Sequence, residues 1–131
     1  MKIAMLIVRT LLGLLFVFAS VTFLFNLITP PPIPDGPLKS FNEGLAASGY
    51  FFMLLKVTEL ICGILLLSGR FVPLALVILA PIGINIFMVH LLLAPEGLPV
   101  AIFVVASLLF LAYCHRDAFK PLLTPSYTPL K

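Results

Sequence analysis

The stretch "LLKVTELICGILLLSG", residues 54–69, decides how the rest of the chain is read. It is apolar enough for lipid, yet it carries Lys56 and Glu59, opposite charges three residues apart. An ionised side chain at mid-bilayer costs about 2.5–3.5 kcal/mol on insertion scales, so each needs a reason to be there. Lysine can reach back toward the interface along its alkyl stem. Glutamate is too short for that, and must be paired, protonated or facing water. Residues three and four apart share a helix face, so Phe52, Leu55, Lys56, Glu59, Cys62 and Gly63 form one stripe. That stripe should face the inside of a helix bundle, with Gly63 admitting a second backbone at close range.

The whole chain agrees with a membrane setting. Of its 131 residues 62% are hydrophobic and only 10% are charged, against about a quarter in soluble domains. Four apolar stretches stand out, roughly 3–28, 50–68, 72–93 and 99–114, each of a length to cross the hydrocarbon core. Strict two-residue alternation, which a membrane β-barrel needs, is missing. The fold expected is all-α: an integral membrane four-helix bundle, one domain over 1–131, with a loop at 29–49 and a tail at 115–131. The start resembles a signal peptide, but its apolar run continues to Ile28 and is interrupted by Arg9. We read it as a retained transmembrane helix.

Basic residues set the expected orientation. Four crossings put Lys2, Arg9, Arg70, Arg116, Lys120 and Lys131 on the side of the two ends and the 69–71 turn, and leave only Lys39 in the opposite loops. Lys and Arg favour the cytoplasmic side, so both termini are expected there. The net charge of +3 is too scattered to suggest a nucleic-acid partner. In the long loop, "TPPPIPDGP" (29–37) reads as a stiff polyproline-like entry to a turn. Beyond it Leu38, Phe41 and Leu45 recur at helical spacing, with Lys39 and Glu43 placed to pair. A short external helix lying on the membrane surface is expected there. In the tail, Pro121, Pro125 and Pro129 forbid a continuing helix.

The candidate ligand-binding residues are Lys56, Glu59, Asn85, His90 and Asn26. Asn26 joins Ala19 and Thr22 in a small polar face of the first helix. Pro81 and Gly83 should loosen the third helix beside Asn85 and open a cavity. Asn85 and His90 lie about 140° apart on an ideal helix, so only a distorted path would bring them to one cavity. No nucleophile–base pairing, metal-ligand spacing or glycine-rich phosphate loop is present. Cys62 and Cys114 read as small buried hydrophobes rather than a disulfide or metal pair. The remaining groups suit hydrogen bonding to a quinone-like carbonyl, binding a cation or moving a proton. The plain structural alternative is an ion pair that joins helices and does nothing more.

The segments "FNLITPPPIP" (25–34), "GYFFMLLKVTELICGILLLSGRFVPLAL" (49–76) and "ILAPIGINIFMVHLLLAP" (78–95) resemble the DoxX-like family of small four-helix membrane proteins. The resemblance covers about residues 10–113. It rests on Glu59 and Gly63 in the second helix, the Gly69–Arg70 turn and Pro73 after it, and His90 matches a histidine found in one branch. It implies a bacterial inner membrane. For some relatives it implies a membrane subunit of a thiosulfate:quinone oxidoreductase, and so a quinone as a possible cofactor or ligand. The expected function is a redox-linked membrane subunit that binds a lipophilic ligand in an outward-facing polar pocket. Two other classes stay open: a small proton-coupled transporter, and a non-enzymatic scaffold that gathers partner proteins or its own copies.

Overall fold

The computed structural model describes residues 1–130; Lys131, counted above among the basic residues, lies outside them. Helix α1 spans Lys2–Leu24, α2 Pro37–Ala47, α3 Phe51–Ser68, α4 Val72–Leu92, α5 Leu98–Cys114 and α6 Arg116–Phe119. A short 3₁₀ turn, Pro95–Gly97, leads into α5, and another, Lys120–Leu123, follows α6. No strand occurs among the described residues. Four segments, α1, α3, α4 and Pro95–Cys114, are long and apolar enough to cross a membrane. Their outward-facing residues are large and apolar, among them Leu14, Phe18, Ile61, Ile64, Ile84 and Leu109. In water that surface would be unstable; in hydrocarbon it is already solvated. The protein is a multi-pass membrane protein.

Helix ends follow local chemistry. Hydrophobicity alone carries the first helix on to Ile28, but it stops at Leu24. Asn26 adopts the left-handed conformation, φ 52°. The amide of Leu27 donates to the carbonyl of Thr22 at 3.0 Å, and that of Asn26 to Phe23 at 3.3 Å. This is a Schellman ending, and asparagine is one of the few residues other than glycine that take its left-handed position readily. Gly69 (φ 74°) ends α3 in the same conformation, while Phe71 (φ 55°) holds it at the start of α4 despite its bulk, a strained position. Proline opens α2, α4 and α5, where a missing amide hydrogen costs nothing. Helix α4 runs through Pro81 without interruption.

The closest helix pair is α1 with α3, and the two meet at glycines. A Cβ placed on Gly63 would lie 3.1 Å from the carbonyl oxygen of Gly13 and 2.8 Å from a methyl group of Val17. One placed on Gly13 would lie 3.1 Å from the carbonyl oxygen of Gly63. The buried core beside this crossing includes Leu12, Phe16, Cys62 and Leu66, with Leu79, Val104 and Leu111 from α4 and α5. The short helix expected between the first two spans is present as α2. Lys39 bonds Asp35 at 2.9 Å and lies 4.0 Å from Glu43, exposed contacts of little energetic weight. After α5 the tail keeps one further helical turn and a 3₁₀ turn that includes Pro121, and regular structure ends before Pro125.

Replacing Gly63 by Val should destabilise the bundle by about 1–3 kcal/mol through overpacking at this crossing. Gly44→Ala in α2, where a Cβ meets nothing within 4 Å, should instead be neutral or stabilise by up to about 1 kcal/mol. Denaturation in detergent checks both, and equal effects would contradict the crossing described.

Candidate functional site

The stripe foreseen on α3 is realised. Glu59, Cys62, Gly63 and Leu66 are buried, and Leu55 and Lys56 partly so. Glu59 is only 3% exposed, and the Lys56 ammonium donates to its Oε2 at 3.0 Å. The lysine keeps 20% of its side chain exposed. Its ammonium also lies 5.8 Å from the centre of the Phe23 ring on α1, within cation–π range. Counting from Phe51 at about 1.5 Å per residue, Lys56 is about 8 Å and Glu59 about 12 Å along the helix from its start. Glu59 therefore sits deep in the span, inside the bundle.

Above this pair lies a cavity of about 310 Å³. Leu15, Phe16 and Ala19 of α1 line it, as do Phe52, Leu55, Lys56 and Glu59 of α3. From α4 come Asn85, Val89 and His90, and from α5 Val100 and Val104. Phe41, Asn42 and Leu45 of α2 also line it, so the surface helix is part of the cavity wall. Asn85 lies about 10 Å along α4 from its end at Leu92, the same depth as Glu59 when both are measured from the α2 side.

Four of the five sequence-selected residues thus come together: Lys56, Glu59, Asn85 and His90. The 140° between Asn85 and His90 does not separate them. The His90 ring is drawn toward the α4–α5 turn, where Nδ1 lies 3.2 Å from the Ala94 carbonyl oxygen. The ring lies against Gly97, in space that any side chain at 97 would occupy. With Nδ1 donating to Ala94, Nε2 is left as an acceptor. Asn26 is the exception. It is exposed, does not line the cavity, and its backbone forms the Schellman ending of α1. Its polarity is explained by that conformation.

Sequence reasoning passed over Asn42. The signal was available, since Leu38, Phe41, Asn42 and Leu45 follow three- and four-residue spacing, and the face that covers a cavity need not be wholly apolar. Cys62 and Cys114 are both free thiols, the first buried and the second partly so. Among the described residues, no group of three or more His, Cys, Asp or Glu side chains gathers as metal ligands do. A second hollow of about 280 Å³, between α4 and α5, is lined by apolar side chains such as Val77, Ile84 and Leu109. It offers almost no hydrogen-bonding chemistry.

A model of the family described as DoxX matches residues 4–91, from the start of α1 almost to the end of α4. The chain belongs to the DoxX family. The match contains Glu59, Lys56, Asn85 and His90 and the whole of α2, so most of the cavity is built from the family segment; α5, which supplies Val100 and Val104, lies beyond it. Neither the curated proteins nor the solved structures yielded a match.

The ion pair gives an ordered expectation. Lys56→Met leaves a nearly inaccessible carboxylate without its partner, and should cost of order 3 kcal/mol. Glu59→Gln leaves a lysine that can still extend toward the α2 side, and should cost less. The double variant should be less destabilised than the two single losses added together. A thermodynamic cycle on the purified protein measures all three; strict additivity would mean the two groups do not interact.

Proposed function

We propose that the α2-side cavity binds a small lipophilic molecule bearing polar oxygen atoms, of the quinone type, and that this DoxX-family chain acts as a redox-linked membrane subunit. The observation that carries the reading is the convergence of Lys56, Glu59, Asn85 and His90 on one cavity of about 310 Å³ whose other walls, apart from Asn42, are apolar. That volume lies at the lower end of the range for small-molecule sites, and a few placed polar groups on apolar walls are their usual chemistry. Lys56 has donors left after bonding Glu59, the Asn85 and Asn42 amides offer both donor and acceptor, and His90 Nε2 and Glu59 Oε1 are acceptors. A quinone carbonyl is answered by the donors, and the hydroxyl of its reduced form by the acceptors. Two-electron reduction of a quinone also takes up two protons, which the Lys56–Glu59 pair can relay, while the electrons come from a partner.

The pairing of Glu59 with Lys56 at 3.0 Å favours a neutral ligand over a transported cation, because the ammonium already offsets the carboxylate charge. The setting proposed is a bacterial inner membrane with both termini cytoplasmic and the cavity outward. Its support is the excess of basic residues at the terminal side, Lys2, Arg9, Arg70, Arg116 and Lys120 among the described ones.

Titration of a short-chain quinone analogue into the protein in nanodiscs tests the reading. Glu59→Gln should weaken binding about ten- to a hundredfold, the worth of a hydrogen bond to a charged group. Gly97→Ala keeps His90 but displaces its ring, and should weaken binding more mildly. Equal binding by wild type and Glu59→Gln would remove Glu59 from the site.

A further inference from the structure

At the opposite end of the bundle a different cation is short of partners. Arg9, on α1, sends its guanidinium to the α3–α4 turn, where a Cβ built on Gly69 would lie 2.7 Å from one terminal nitrogen and 3.1 Å from the central carbon. The guanidinium therefore rests on the bare backbone of Gly69, and only glycine leaves it that place. Its Nε is buried and has no hydrogen-bond partner. Among the described residues no carboxylate pairs with Arg9; the one acid on this side, Asp117, is held by Lys120 at 2.8 Å. A partly buried charge without an acceptor is costly; the buried Nε is closed to an outside partner, so a counter-ion would meet the terminal nitrogens of this half-buried side chain.

The position says which kind. The α3–α4 turn joins two membrane-crossing helices, so the level of Gly69 is the level of lipid headgroups. Arg70 follows in the same turn and is exposed. A guanidinium presents two terminal nitrogens in a fixed fork that matches two oxygens of a phosphate. We propose that Arg9, seated on Gly69 and backed by Arg70, binds the phosphate of a membrane phospholipid at this end of the bundle. The site is separate from the Glu59 cavity and does not depend on what that cavity holds. It also accounts for a basic residue placed well inside the first apolar stretch, where topology alone would be served by Lys2.

The test is thermal unfolding of the purified chain in detergent during titration with phosphatidylglycerol. The unfolding midpoint of wild type should rise, whereas diacylglycerol with the same acyl chains, which lacks the phosphate, should have little effect. Arg9→Gln should weaken the apparent affinity for phosphatidylglycerol at least about tenfold. Gly69→Ala, which takes the seat from the guanidinium, should act in the same direction. Arg116→Gln, a basic residue engaged with Tyr113 at the end of α5, should leave it unchanged and so separates a site from general charge attraction. If Arg9→Gln does not fold, Arg9→Lys and the two-lipid comparison on wild type still decide. Equal stabilisation by both lipids, or an unaltered response in Arg9→Gln or Arg9→Lys, would overturn the site and leave water as the partner of Arg9. Equal stabilisation by inorganic phosphate at the same concentration would overturn the lipid assignment in favour of a soluble anion.

Discussion

A carboxylate cannot be left against acyl chains, and the arrangement of this bundle follows from that constraint. Glu59 lies about 12 Å along α3 from its start, too deep for its short side chain to reach water. It is enclosed to 3% exposure and given the Lys56 ammonium at 3.0 Å. The cavity it faces is walled by α1, α4 and α5 together with α2. Such a pair contributes little net stability compared with an apolar replacement of the same shape. Its presence is therefore better explained by the polar cavity it creates than by the strength of the fold.

The two cations inside the spans are handled in different ways. Lys56 and Arg9 both use long stems, but they point to opposite ends of the bundle. Lys56 stays with its carboxylate and touches the Phe23 ring, at 5.8 Å from its centre. Arg9 runs to the α3–α4 turn and finds no acid there. A flexible ammonium suits a site where a proton or a ligand is exchanged, while a rigid guanidinium fork suits a fixed anion. The residue types match the roles given to the two ends.

Much of this was legible in the sequence, because hydrophobic period and length are direct consequences of the membrane. The spans, the surface helix and the inward stripe of α3 all follow from side-chain spacing. Where the reading failed, the deciding signal was conformational. Phe25, Leu27 and Ile28 are as apolar as the helix before them, so composition could not show that it ends at Leu24; the left-handed Asn26 ends it. The same asparagine looked like a site residue because polarity in an apolar run has two causes, and a chain-reversing backbone is one of them. Asn85 and His90 were hard to unite for a third reason. An ideal helix fixes where Cβ atoms point, but the His90 ring is placed by Ala94 and Gly97, which belong to the following turn.

The packing beneath the cavity bears on what it can do. Gly63 lies one turn beyond Glu59 on α3 and meets Gly13 of α1 backbone to backbone. Gly83 lies two residues before Asn85 on α4 and is filled against by Leu108 of α5. Measured from the α2 side, both contacts lie deeper than the polar groups they adjoin, at about 18 Å for Gly63 and about 13 Å for Gly83. The α1–α3 pair is therefore drawn tight just below the polar layer, where Leu12 and Leu66 pack beside it, whereas α4 and α5 flank the apolar hollow that Gly83 and Leu108 line. A transporter must open its site to each side in turn, and here that would mean parting the Gly13–Gly63 crossing, where the two backbones meet. A site that receives a ligand from the bilayer or from the α2 side needs no such movement. The close α1–α3 crossing therefore weighs against alternating access.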